Sequence, residues 1–83
     1  MLVKLHFLSP KKIIYNGEVE SVTIPGSKGS FTVLDKHAPL LTTLQKGTVV
    51  YCVKEKDTHK VSIAGGFAEV KDNIVTICIE KEI

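Results

Sequence analysis

Two lysines sit where chemistry could be done. Lys28 stands in Gly26-Ser27-Lys28-Gly29, a glycine-flanked loop of the kind that can cradle a phosphate. Lys36 stands in Asp35-Lys36-His37-Ala38, where a turn could present an amine for covalent modification. A phosphate loop needs G-x-x-x-x-G-K-[ST] followed by a helix whose N–H groups point at the anion. Here Lys28 precedes its second glycine, and the next residues, SFTVL, alternate like a strand. Without the helix there is no anion site. The remaining reactive residues are dispersed. Cys52 and Cys78 form no Cys-x-x-Cys pair, and each lies in a strand-like run, so both are expected to serve as small buried hydrophobes. His6, His37 and His59 lie at no metal-ligand spacing. No catalytic residue, metal or cofactor is expected.

The elements that would position these residues are strands. Val3, Leu5 and Phe7 share one face of VKLHF, and the same period of two places Val22 with Ile24 and Phe31 with Val33. It recurs in Val49, Tyr51 and Val53, in Val61 and Ile63, and in Val75, Ile77 and Ile79. Turn signals separate the runs at Ser9-Pro10, Asn16-Gly17, Pro25-Gly26, the segment 35–39, Lys46-Gly47, Lys56-Asp57 and Asp72-Asn73. Gly65-Gly66 interrupts a strand pattern and reads as a sheet corner. No window carries a helical stripe. The fold class is all-β, a sandwich or flattened barrel, in one domain over residues 1–83.

Composition narrows the function. The net charge is +2, every one of the eleven basic residues is lysine, and arginine is absent. Bidentate reading of bases and phosphates favours arginine, so nucleic acid is not expected as a partner. The aromatics Phe7, Tyr15, Phe31, Tyr51 and Phe67 stand singly in apolar runs and read as core or sheet packing. No run approaches the roughly 18 apolar residues of a spanning helix, and the first residues lack the pattern of a signal peptide.

Two resemblances carry functional implications. Asp35-Lys36-His37-Ala38 resembles the modified-lysine tip of lipoyl and biotinyl carrier domains with one residue inserted, which would make Lys36 the carrier lysine. Pro39, directly after, fits poorly with the regular strand that follows such a tip. The second resemblance covers nearly the whole chain. Ser9-Pro10, Gly17-Glu18-Val19, Pro25-Gly26 with Gly29, His37-Ala38-Pro39-Leu40-Leu41, Gly47, and Gly65-Gly66-Phe67 before Glu69-Val70 occur in order. This series resembles the N-terminal domain of the epsilon subunit of the rotary ATP synthase, called delta in mitochondria. The chain departs from that pattern at Thr32, at Asp35-Lys36, where Pro-Gly is usual, and at Ala64.

The resemblance implies two five-stranded sheets and a non-catalytic rotor subunit at the foot of the central stalk, which locks the c-ring to the gamma subunit. Such a subunit would lie on the cytoplasmic face of the inner membrane, held peripherally through the complex. By the same resemblance Gly26, Ser27, Lys28, Gly29 and Ser30 would face the c-ring, and His37, Ala38, Pro39, Leu41 and Thr42 would face gamma. Leu40, Leu41 and Leu44 cannot all point inward from an extended segment, so at least one is available for contact. After the last strand only Glu80-Lys81-Glu82-Ile83 remain, too few for a helix, so no C-terminal helical domain and no helical brake on ATP hydrolysis are expected in this chain.

Overall fold

The computed structural model describes residues 2–83, and these form nine strands and no helix. They are β1 (Val3–Leu8), β2 (Ile13–Val19), β3 (Ser21–Gly26), β4 (Gly29–Val33), β5 (Leu40–Leu44), β6 (Gly47–Lys54), β7 (Asp57–Ile63), β8 (Gly66–Lys71) and β9 (Ile74–Ile79). Hydrogen bonding links them in the order β2-β1-β9-β8-β5-β3-β6-β7, with β4 on the far side of β3. β5 meets β3 through a single residue pair, Gly26 with Leu44, and the path folds over at that point. One layer is therefore β2-β1-β9-β8-β5 and the other is β4-β3-β6-β7. The expected second set of five strands is four here. Its fifth member shrinks to one bridge, Glu82 opposite Ile63, flanked by Ala64 N–H to Lys81 O (3.2 Å) and Ile83 N–H to Ser62 O (2.9 Å).

The two-residue alternation decides which side chains meet between the layers. Val3, Leu5, Phe7, Val22, Ile24, Val33, Val49, Ile63, Val75 and Ile77 are completely buried, and among the described residues no polar or charged one is buried with them. Each such aliphatic or aromatic side chain contributes about 1.5–3 kcal/mol on burial. On the side where β2 approaches β6, a cluster of rings packs between the layers, and just past the end of β2 Glu20 N–H donates to Cys52 O at 2.7 Å. The Tyr15 and Tyr51 rings lie 4.9 Å apart, Phe7 meets Tyr51 edge-on at 6.1 Å, and His59 stacks on Tyr51 at 5.1 Å. Burial raises the Tyr51 pKa above its ordinary value, and Tyr15 and Asp57 push it the same way.

Three local expectations are corrected. Asn16-Gly17 makes no turn; both residues lie inside β2, paired with His6 and Leu5. The Tyr15 ring passes over Gly17, and its hydroxyl donates to Glu18 O at 2.9 Å. The real β1–β2 turn is Ser9 to Lys12, closed by Ser9 N–H to Lys12 O at 2.9 Å. Cys52 and Cys78 are half-buried on the outer faces of opposite layers, because Val49 and Tyr51, like Val75, Ile77 and Ile79, take the inward positions of their strands. Phe67 is 49% exposed, since Ala68 and Val70 are the inward residues of β8.

Gly65-Gly66 is a corner, as expected, where the chain passes from β7 in one layer to β8 in the other. Gly66 has φ 149°, and a Cβ there would lie 2.2 Å from Cys78 O and 2.8 Å from Ile79 Cα. Both obstacles are main chain and cannot swing aside. Gly29 also has a positive φ, 133°, but a Cβ there meets nothing within 4 Å. Gly66→Ala is expected to destabilise the fold by about 3 kcal/mol, from backbone strain plus overpacking. Gly29→Ala should cost about 1 kcal/mol, from strain alone. Urea midpoints for the two variants check this ordering; equal midpoints would refute the close-approach explanation.

Candidate functional site

The β3–β4 hairpin turns through Ser27 and Lys28, between the paired Gly26 and Gly29. Gly26 is buried at its base, whereas Ser27, Lys28, Gly29 and Ser30 are exposed. The hairpin is fastened to β5 by main chain and side chain together. Ser27 N–H donates to Thr43 O at 2.9 Å, and the two hydroxyls, Ser27 Oγ and Thr43 Oγ1, share a hydrogen bond at 2.8 Å. The polar tip thus rides on a stiff base.

Residues 34–39 cross from β4 in one layer to β5 in the other, and their shape depends on a residue far along the chain. Lys36 has φ 66°, the left-handed conformation that glycine adopts freely and that costs other residues about 1–2 kcal/mol. Its N–H donates to Asn73 Oδ1 at 2.6 Å, and Asn73 Nδ2 donates to Asp35 Oδ1 at 2.5 Å. The Asn73 carbonyl also accepts from Lys4 N–H at 3.0 Å. One side chain in the β8–β9 turn therefore secures a turn that uses Asp-Lys where Pro-Gly would do so unaided. His37 follows, its N–H bonded to Leu34 O at 3.2 Å, its Nδ1 2.8 Å from Ala38 O, and its ring 6.3 Å from the Phe31 ring. Ala38 and Pro39 are exposed, and Thr42 is half-buried.

This geometry does not favour the carrier alternative. A carrier lysine sits at the tip of a hairpin, between two strands that pair with each other. β4 pairs with β3 and β5 pairs with β8, so Lys36 lies on a crossover between layers, with its backbone tied down by Asn73.

The three leucines divide as the alternation requires: Leu44 is buried, Leu40 is at the margin, and Leu41 is 71% exposed. The two sets of residues expected to make contacts, Gly26 to Ser30 and His37, Ala38, Pro39, Leu41 and Thr42, adjoin one another through the Ser27–Thr43 bonds. Between them lies a cavity of about 340 Å³ walled by Lys28, Ser30, Phe31, Leu40 and Thr42. Phe67 belongs to this region and escaped sequence reasoning. It stands opposite Thr43 on one side and Cys78 on the other, with Leu8 next in line across β9. This row lies on the outer face of the five-stranded layer and adds an apolar strip beside Leu41. The signal was present in Ala68 and Val70, whose inward parity forces Phe67 outward.

Among the described residues no three His, Cys, Asp or Glu side chains gather to hold a metal, and the ion pairs Lys12–Glu82 and His59–Asp57 lie elsewhere. No helix among them is long and apolar enough to cross a membrane.

Residues 2–83 match the sequence family described as the beta-sandwich domain of the ATP synthase Delta/Epsilon chain. An ATP synthase epsilon chain from Leptospira borgpetersenii is 50% identical over 70 residues, which is 84% of this chain and 54% of that protein. One from Caulobacter vibrioides is 44% identical over 85 aligned positions, covering 99% of this chain and 96% of that one. The chain thus spans little more than half of some relatives and nearly all of another. The fold is also that of a chain in the cryo-EM structure of the Euglena gracilis mitochondrial ATP synthase, with TM-score 0.90, 24% identity, and coverage of 99% of this chain and 52% of that one. A chain in the central stalk and c-ring structure of the Tetrahymena thermophila enzyme gives a TM-score of 0.81 at 17% identity, over 96% of this chain and 64% of that chain. With the family matched over residues 2–83 and a relative of nearly equal length at 44% identity, this protein belongs to the delta/epsilon chains of the ATP synthase.

Proposed function

We propose that this chain is a non-catalytic rotor subunit that joins the c-ring to the gamma subunit at the foot of the central stalk. It is held on the cytoplasmic face of the inner membrane only through those partners. The observation that carries the reading is the way two adhesive surfaces of different character share one rigid base. The exposed hairpin 27–30 is short and polar, suited to a hydrated contact with polar loops of the c-ring. The neighbouring edge presents Leu41 and Phe67, apolar groups in a polar surround, suited to a drier contact with gamma. Ser27 and Thr43 connect the two, so a load entering at one surface reaches the other through a ladder and not through a flexible linker.

In this reading Ser27, Lys28, Gly29 and Ser30 touch the c-ring, with Gly26 as the buried base of their hairpin. His37, Ala38, Pro39, Leu41 and Thr42 touch gamma, and Phe67 joins them. Torque transfer needs stiffness and adhesion. It makes no use of a nucleophile, a metal or a bound cofactor.

A cysteine at Ser30, paired with one in the polar loop of the c subunit, should form a disulfide on mild oxidation of the assembled enzyme. If a control pair crosslinks and this one does not, the c-ring assignment is wrong.

The gamma contact has its own test. His37→Asp combined with Leu41→Lys alters side chains outside the core, so its stability should stay within about 0.5 kcal/mol of the parent. Its affinity for gamma should fall at least about 30-fold, or about 2 kcal/mol, as expected for loss of an apolar anchor. Added to a complex lacking this subunit, the parent chain should restore coupling of proton flow to ATP turnover and the variant should not. Unfolding of the variant would mark the segment as core. Unchanged affinity would remove it from the interface.

A further inference from the structure

We propose that the gamma contact is made partly by main chain: an extended segment of gamma adds as a strand along the open edge of β5. This rests on the rotor reading and specifies how that site is occupied. β5 is paired along its length with β8 on one side only, and on its other side β3 reaches it just at Leu44. The main-chain groups of a strand alternate between its two sides. Thr43 O faces β3, where it accepts from Ser27 N–H, so the N–H and C=O of Leu41, two residues earlier, face the same way. At Leu41 β3 is no longer alongside. Beyond the β3–β5 contact, the N–H and C=O of Leu41 are therefore still aimed outward.

Edges of this kind are normally blunted by lysine, internal proline, a bulge or a cover, because they capture other strands. β5 reads Leu-Leu-Thr-Thr-Leu, with no charge, and its register with β8 runs without a bulge. The edge of β7, by contrast, carries Asp57, His59 and Lys60 and is bridged at its end by Glu82. An unguarded edge fits a surface that is covered in the working assembly. The adjoining space has the form of a strand as well. On one side of the edge Leu41 stands exposed, ready to pack against an apolar side chain. On the other lies the 340 Å³ cavity walled by Phe31, Leu40 and Thr42, which takes the next, smaller side chain of an alternating segment.

The experiment separates main chain from side chain at one position. Leu41→Ala removes the side chain and keeps the N–H. Leu41→Pro removes both, while the β5–β8 ladder, borne by the alternate residues, is left intact. Measured against gamma in its complex with the catalytic subunits, Leu41→Pro should bind at least about tenfold more weakly than Leu41→Ala. In the parent chain, hydrogen exchange at the Leu41 amide should slow at least about tenfold when gamma binds, a change that side-chain packing alone would not require. Should Leu41→Pro fail to fold, a chemically synthesised chain with N-methyl leucine at 41, joined at Cys52, supplies the same comparison against its unmethylated twin. Equal affinities, or an unchanged Leu41 amide while the parent still binds gamma, overturns strand addition and leaves the rotor reading standing. Failure of the parent to bind gamma overturns both. Concentration-dependent dimerisation abolished by the missing N–H, without effect on gamma, would assign the edge to a second copy instead.

Discussion

Three stretches of main chain come together at the corner formed by Gly65 and Gly66, and the rest of the fold depends on that approach. Leu44 at the end of β5 faces Gly66, and Cys78 and Ile79 of β9 lie close on the other side. Near this point the chain changes layer twice, from β5 to β6 and from β7 to β8. A side chain at Gly66 would force these backbones apart. The single β3–β5 pair at Leu44 would then lose its register, and with it the hairpin fastened through Ser27 and Thr43. The surfaces proposed for contact lie several residues away, yet they are positioned from here.

Much of this was legible in the sequence because the core obeys one rule. Wherever strands ran with strict alternation, as in VKLHF or IVTICI, the inward residues are the buried ones. The rule failed where the chain changes direction without a turn residue. Val19-Glu20-Ser21 passes between layers with no glycine or proline to mark it, whereas Asn16-Gly17, a strong turn signal, stays extended because the Tyr15 ring occupies the space over Gly17. Local propensity is a statement about neighbours in sequence. The tyrosine's preference for the aromatic cluster across the layers is tertiary and prevails over it.

The candidate site was legible in outline and not in its supports. The hairpin and the Pro-Leu-Leu edge could be located from their composition. The role of Asn73 could not. Nothing in Asp-Asn announces that its amide will reach across to Asp35 and Lys36, more than thirty residues earlier. The consequence is local robustness of an unusual sort: Lys36 holds a glycine-like conformation because its own N–H and its neighbour's carboxylate share one distant partner. Phe67 was missed for a different reason, since a glycine pair just before it conceals the parity of the strand.

β1 lies parallel to β9, with Lys4 beside Ile74 and Leu8 beside Cys78, the only parallel pair among the described strands. During synthesis the first strand leaves the ribosome long before its central neighbour exists. Until β9 emerges, β1 can hold only β2, and a two-stranded hairpin is at best marginally stable in water. The five-stranded layer is therefore completed only by β9, about seventy residues after β1. Such distant pairing slows folding and leaves Val3, Leu5 and Phe7 without their full cover until β9 has emerged. For this protein the interval of greatest exposure to aggregation falls just before β9 is made.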